Sequence, residues 1–285
     1  MKATAARRAD ALRRWPLTDP RGLAALVYLA LLAAVALAAP WVAPHTPTAQ
    51  DFDSILAPRS LLHPLGTDDL GRDILSRLIH GAPATLYASV LAVGVAIVIG
   101  VPVGLVAGFV GGAVDAVISR IIDAFLSFPA IVLAIAVTGA LGIGLTNGMI
   151  SVGIVFFPQL ARLVRARTLL VRHDLYVDAA RCFGASPTHI LWRHVLPNTI
   201  QPVIVQVTLL LAGALLAEAS LSFLGLGIQP PNPSWGAMLA RAYQYIELAP
   251  EQMYAPGLAI LFTALAFNAL GESLRAALDP TTNDR

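Results

Sequence analysis

The sequence predicts an all-α integral membrane protein with about six transmembrane helices and both termini in the cytoplasm. Three observations lead there. Hydrophobic residues make up 57% of the 285-residue chain and charged residues only 13%, where a soluble domain carries about 25% charged residues. The mean hydropathy is +0.72. Apolar runs approaching or within the roughly 17 to 25 residues that cross a bilayer recur along the chain, and the lysines and arginines between them are strongly biased to one side.

The runs lie at 23–42, 85–109, 125–141, 148–163, 200–226 and 254–274. The third and fourth sit at the low end of spanning length, separated by a very short turn at Gly142, Gly144 and Asn147. Short cytoplasmic loops retain positive charge. With the N-terminus inside, Lys2, Arg7, Arg8, Arg13, Arg14, Arg21, Arg120, six arginines from Arg162 to Arg193, Arg275 and Arg285 fall in the cytoplasm, fifteen against Arg59, Arg72, Arg77 and Arg241 outside. This divides the chain into a cytoplasmic tail (1–22), a first span with an external segment (23–84), a transmembrane core (85–275) with a cytoplasmic loop at about 165–199, and a second cytoplasmic tail (276–285).

The arginine-rich start, the first apolar run and Ala36-Leu37-Ala38 also resemble a signal peptide with a small-residue cleavage site. The run and its leader are long for one, and cleavage would leave the remaining topology unchanged. The single cysteine, Cys182, excludes an internal disulfide.

The external segment opens with Pro40, Pro44, Pro47, Pro58 and Pro64, which favours extended chain. Its second half reads as a turn followed by a short amphipathic helix lying on the external membrane surface. Thr67 is expected to cap that helix, with Asp68 and Asp69 in its first turn, where the dipole favours anions. Leu70, Ile74 and Leu78 form its apolar face, with Leu75 at the edge. The sharper reading makes Asp68, Asp69, Arg72 and Asp73 a contact for an external partner. No metal site is expected from these aspartates, because neighbouring side chains fan out around a helix.

In the second span Gly100, Gly104 and Gly108 repeat every four residues, a pattern that lets another helix approach closely in lipid. Pro102 is a candidate kink. Glu218 is the one ionisable residue well inside a span, and a carboxylate at that depth faces protein or a polar cavity. With Ser222 and Phe223 on the same stretch, it marks either an interhelical hydrogen bond or a translocation path or gate.

Between the fourth and fifth runs, Asp178, Ala179 and Ala180 start a short helix, Gly184 permits a reversal, and Ser186-Pro187 begins a second helix. Leu196-Pro197 is expected to end it before the next span. His194 precedes that ending. Two short helices joined at a glycine make a compact knob able to seat in a groove on another protein.

Two alanines followed four residues later by glycine, with Leu-Pro closing thirteen residues beyond, resemble the "EAA" loop of ABC importer permeases. From about Leu23 onward the chain is similar to the C-type membrane subunit of dipeptide, oligopeptide and nickel importers. The resemblance also rests on His63-Pro64-Leu65-Gly66-Thr67-Asp68 with Gly71-Arg72-Asp73, on Arg120, Asp123 and Phe128-Pro129, and on Glu218 to Gly227 continuing to Pro233-Ser234-Trp235-Gly236. Two positions depart from the general loop pattern: Asp178 stands for glutamate and His194 for a frequent isoleucine. The Arg-His-x-Leu-Pro-Asn ending is what the peptide branch usually shows.

The resemblance implies a type I importer fold in the cell membrane, a homologous permease as partner, two ATPase subunits gripping the knob, and an external binding protein delivering short peptides. Nickel or another small solute is the alternative substrate. ATP and magnesium would be used by the ATPase partners, with no cofactor in this chain and no nucleic acid among its partners.

Lys2 is the only lysine, so no Gly-x-x-x-x-Gly-Lys phosphate loop exists here, and neither a His-Glu-x-x-His nor a Gly-x-Ser-x-Gly motif is present. The chain is therefore not expected to be an enzyme. A transporter coupled to an ion gradient, or a channel, is the reading from another class, with Glu218 its strongest candidate residue. A non-transporting scaffold is the third.

Overall fold

The computed structural model describes residues 19–278. The N-terminal basic cluster from Lys2 to Arg14, and Arg285, lie outside the described residues. Within them the chain is all-α: α1 (Pro20–Leu37), α2 (Ala39–Val42), α3 (Ile74–Val110), α4 (Gly112–Ser127), α5 (Ala130–Leu141), α6 (Leu145–Val171), α7 (Leu175–Cys182), α8 (Pro187–Ile190), α9 (Leu196–Phe223), α10 (Trp235–Gln244) and α11 (Tyr254–Leu278). Five helical stretches are long and apolar enough to cross a membrane, or six if the bent pair α4–α5 counts as one.

Asp19 caps α1, its side chain accepting from the Arg21 backbone N–H at 3.1 Å, with Pro20 at the first helical position. Helix α1 packs on α11, where Tyr28 and Thr263 hydroxyls meet at 3.1 Å. The first span ends sooner than its apolar run, because the chain breaks at Ala38 and restarts as the single turn α2 with Pro40 in it.

Helix α3 corrects the expected surface helix. Asp73, not Thr67, is the N-cap, its Oδ2 accepting from the Ser76 N–H at 2.8 Å. The helix then runs unbroken for 37 residues through Pro83 and Pro102. At 1.5 Å per residue that is about 55 Å, well beyond a hydrocarbon core of about 30 Å. The expected amphipathic helix is thus partly loop and partly the first turn of the second span. Thr67 faces the loop behind it, accepting from the Ala57 N–H at 2.9 Å.

The third span also differs. The run at 125–141 contains the break between α4 and α5, two helices bent by 97°. Phe128 precedes Pro129 and is extended (φ −87°, ψ 142°), the conformation that a following proline imposes. Twelve residues of α5 rise about 18 Å, too little to cross alone.

The centre of the molecule is α3 against α6. Ala88, Ala92, Ala96, Gly100, Gly104 and Gly108 follow one another every four residues along α3 and all are buried. Gly100 and Gly104 face Leu160, Ala161 and Val164, which are 0–1% exposed. A Cβ on Gly100 would lie 2.9 Å from the Phe157 carbonyl oxygen, and one on Gly108 2.6 Å from Thr168 Cβ; one on Gly104 would meet the Ala161 carbonyl oxygen. Gly153 of α6 is the reciprocal notch, where a Cβ would lie 2.6 Å from the Ala92 carbonyl oxygen. Backbone meets backbone here because side chains have been removed from both helices. Asp115 and Asp123 of α4 pair with Arg165 and Arg162 of α6, the latter at 2.7 Å, holding α4 across the end of this pair.

Replacing Gly104 by valine forces α3 away from α6 and is expected to destabilise the chain by about 1–3 kcal/mol. The matched control is Gly94→Val, because nothing lies within 4 Å of a Cβ there. Thermal unfolding of the two purified variants in mild detergent should separate them clearly; equal melting would show that the close approach is dispensable.

Candidate functional site

The loop between α6 and α9 forms the expected knob with a different exit. Helix α7 ends in a glycine reversal: the Ala185 N–H donates to the Ala180 carbonyl and the Gly184 N–H to the Arg181 carbonyl, both at 3.0 Å, with Gly184 at φ +78°. This is the paired bonding that closes a helix through a left-handed residue. Ser186 then caps α8, its hydroxyl accepting from the His189 N–H at 3.3 Å. Val177, Ile190 and Val195, each 0–2% exposed, form the knob's interior.

Leu196-Pro197 does not end the second helix. Residues 191–195 form a π-helical turn in which the Leu196 N–H reaches the Leu191 carbonyl, and the helix continues into α9. The wider turn accommodates Pro197, which has no N–H to give. Residues 187–223 are therefore one apolar helical stretch, and the knob is an integral end of a spanning helix.

Of the residues singled out on the loop, Asp178, Ala179, Gly184 and Pro197 are exposed, while Ala180, His194 and Leu196 are half-buried. Asp178 pairs with Arg181 at 2.9 Å on the surface. Phe183, next to the reversal, is 91% exposed and Trp192 64%. These aromatics were missed in the sequence because both lie in helical patterns that read equally well as buried.

Glu218 sits in a second constellation. It is 1% exposed on α9, and its Oε1 accepts from Ser222 Oγ at 2.9 Å and from Ser234 Oγ at 2.8 Å. Ser234 also caps α10, accepting from the Ala237 N–H at 3.1 Å. A Cβ on Gly236 would come within 2.6 Å of Glu218 Oε2. Trp235, 2% exposed, donates its backbone N–H to Thr85 Oγ1 at 3.1 Å and its indole N–H to the Leu78 carbonyl at 2.9 Å. Ser234-Trp235-Gly236 thus locks α9, α10 and α3 together around one carboxyl group. Ser222 belongs to that knot. Phe223 does not: it is 52% exposed, stacks edge-on with Tyr243 at 5.2 Å, and lines an open groove with Leu216, Ala219, Ser220 and Leu239.

The charged side chains at 68–73 are turned inward. Asp68 Oδ1 accepts from the Leu70 and Arg72 backbone N–H groups, each at 3.0 Å, and Oδ2 meets the guanidinium groups of Arg72 at 2.6 Å and Arg77 at 3.4 Å. Asp69 is paired with Arg241 of α10, Nη2 to Oδ2 at 2.7 Å. Gln252 Nε2 donates to the Thr67 carbonyl at 2.9 Å. Asp68, Arg72 and Asp73 are buried. Asp68, Asp69, Arg72 and Asp73 bind the segment to itself, to α3 and to α10. The physical reason is the tight turn through Gly71 (φ +70°), where a Cβ would run into the Asp51 backbone; it folds the carboxylates back over the chain. Burial pushes the Asp69 carboxyl up, but hydrogen bonding and charge from Arg241 outweigh it and hold the group below the ordinary carboxylate value.

Two outcomes follow. Glu218→Ala removes the acceptor for two buried hydroxyls and leaves a void, a loss of about 2–4 kcal/mol, whereas Glu218→Gln keeps an acceptor and should melt nearer the parent; tolerance of alanine would remove the knot's importance. For Asp69 the folded value lies below the unfolded one, so its contribution is present above about pH 4 and fades as pH falls through the folded value. Asp69→Asn should flatten that acid limb in a stability–pH profile.

With this geometry in place, comparison with known proteins is informative. Residues 100–284 match the family described as binding-protein-dependent transport system inner membrane component, and residues 9–63 match the N-terminal TM domain of oligopeptide transport permease C. The chain is 45% identical over 259 residues to the glutathione transport system permease protein GsiD of Escherichia coli O1:K1, covering 90% of this chain and 86% of the relative. It is 46% identical, with the same coverage, to GsiD of Shigella flexneri serotype 5b. Among solved structures, a chain of the MetNI methionine ABC transporter in an inward-facing form superposes with a TM-score of 0.60 at 21% identity, covering 72% of this chain and 97% of that one; at this identity the likeness concerns the fold.

Proposed function

Because this chain belongs to the binding-protein-dependent transport system inner membrane components and is an ABC importer permease subunit of the type I fold, we propose that it forms, with a homologous permease, the path for short peptides. Glutathione, itself a tripeptide and the solute named for the GsiD relatives, is the first substrate to test. A pair of ATPase subunits, using ATP and magnesium, grips the knob, and an external binding protein delivers the peptide. The chain is a multi-pass inner-membrane protein; the arginine bias supports placing both termini and the knob in the cytoplasm.

The single observation that carries the coupling role is the knob itself. Its interior is closed by Val177, Ile190 and Val195, its tip presents Phe183 and Trp192, and its second helix is continuous with α9. A packed knob on a spanning helix passes on a displacement that a loose loop would absorb. Closure of the ATPases on bound ATP would push it, and α9 with it, opening the path outward between the two permeases. Phe223 and its open groove would line such a path or meet a permease partner, and Glu218 and Ser222 would contribute by holding α9 to α10.

Nothing lies within 4 Å of a Cβ on Gly184, which sits at φ +78°. A side chain there therefore starts in open space; it strains the reversal by about 1–2 kcal/mol and would protrude towards the ATPase. Gly184→Trp should leave insertion and permease pairing intact while abolishing ATP-driven uptake of labelled glutathione by reconstituted vesicles. Uptake that persists without ATP and collapses with the ion gradient would instead select the secondary-transporter reading, and uptake of Ni²⁺ but of no peptide the nickel reading.

A further inference from the structure

Three side chains from separate parts of the external segment converge at the start of α3. His45 follows α2, His63 lies in the loop, and Asp73 caps the helix. Their ligand atoms all lie within 4.8 Å of one another. His63 Nδ1 is 3.0 Å from Asp73 Oδ1, and His45 Nδ1 is 3.8 Å from Asp73 Oδ2. The two imidazole rings lie 5.0 Å apart between centroids and are tilted by 34°.

Two of the donors, Asp73 and His45, are held through Ser76. Asp73 is fixed by its cap bond to the Ser76 N–H and by Ser76 Oγ at 2.6 Å. The same Ser76 hydroxyl accepts from the His45 backbone N–H at 2.9 Å, which draws residue 45 onto the helix start. The Asp73 side chain is 1% exposed. Arg72 and Arg77, the nearest guanidinium groups in sequence, are directed to Asp68 and leave Asp73 without an arginine partner among the described residues. His45 Nδ1 is itself shut off from solvent and, among the described residues, has no hydrogen-bond partner. A buried carboxylate lacking an arginine and an orphaned imidazole nitrogen aimed at it are what a cation would satisfy.

We propose that His45, His63 and Asp73 bind one divalent transition-metal ion of the zinc type, pinning the external segment to the first turn of α3. Two imidazoles and a carboxylate are a donor set for borderline ions such as Zn²⁺, Ni²⁺ and Cu²⁺, and not for calcium or magnesium, which take oxygen. Tetrahedral bonds of about 2.0–2.2 Å place donors about 3.4 Å apart; His63 Nδ1 stands 3.0 Å from Asp73 Oδ1 and His45 Nδ1 3.8 Å from Asp73 Oδ2, so the two imidazoles approach different oxygens of the one carboxylate. The ion would replace the His63–Asp73 hydrogen bond, leave the cap through Ser76 in place, and keep a fourth position for water. This role is separate from transport and does not depend on the substrate assigned above.

The test uses the full chain, purified in mild detergent with its partner subunits, without a histidine tag and after chelator treatment. Zn²⁺ is titrated against a chromophoric chelator, and Co²⁺ is used as a spectroscopic stand-in. The parent should take up one equivalent, raise its melting temperature on loading, and give the visible bands of a four-coordinate Co²⁺ site. His45→Ala should weaken binding by about tenfold or more and abolish the thermal shift, while melting like the metal-free parent. His45→Cys, which restores a ligand, should recover binding. Absence of stoichiometric Zn²⁺ uptake by the parent would overturn the proposal. So would unchanged affinity in His45→Ala, or binding lost only in His189→Ala, which would place the metal on the knob.

Discussion

Lipid gives helices no hydrophobic reason to associate, since a neighbouring helix is no more apolar than an acyl chain, and packing must do the work instead. In this chain the working contact is the approach of α3 to α6, where six small residues in four-residue steps bring one backbone against another. Everything else is arranged around that pair. Helix α4 is tied across its end by the Asp115–Arg165 and Asp123–Arg162 pairs, α9 joins the same core through Val203, Leu210 and Ala214, and α1 and α11 close on one another beside it. A groove cut by missing side chains cannot be widened gradually, so this pair behaves as a rigid body.

Polar chemistry enters where packing alone would not specify an angle. The Glu218–Ser222–Ser234 knot lies inside the protein, and a carboxyl group there is tolerable only because hydroxyl donors reach it. What it gains is direction: α9, α10 and α3 meet in one arrangement, with Trp235 as the wedge. The charges at 68–73 act similarly at the start of α3. Asp68 organises a turn, Asp69 reaches α10, and Asp73 begins the helix. Three aspartates that look alike in the sequence therefore have three different partners.

The sequence announced the helical membrane class, the knob and Glu218 because each depends on local composition or spacing. Alanines at 88, 92 and 96 extend the glycine stripe and were equally legible, since they share its register, but alanine is too common in a span to stand out. The failures have physical causes. Thr67 looked like a cap because threonine followed by two aspartates is a strong local signal; Gly71 and the contacts of residue 67 with the loop overrode it. The run at 125–141 is apolar throughout, so hydropathy could not show that Phe128-Pro129 turns the chain by 97°. Pro197 read as a terminator because the π-helical turn that absorbs it has no sequence signature of its own. Arg241 and Asp69, 172 positions apart, meet only through the fold.

That same π-helical turn decides how motion at the knob would reach the membrane. Had Pro197 ended the helix, the knob would hang on a hinge, and a displacement would be lost in loop rearrangement. Instead residues 187–223 run on as a stretch of 37 residues, about 55 Å at helical rise, with the knob at one end and the Glu218 knot near the other. At the knot α9 is bonded to α10, whose Trp235 is bonded to α3, and α3 is packed rigidly on α6. Under the proposed coupling, an ATPase pushing on the knob cannot bend α9 alone. It must move α9 against the α3–α6 body or carry that body with it, and the open groove beside Phe223 is the face left free to change its neighbours.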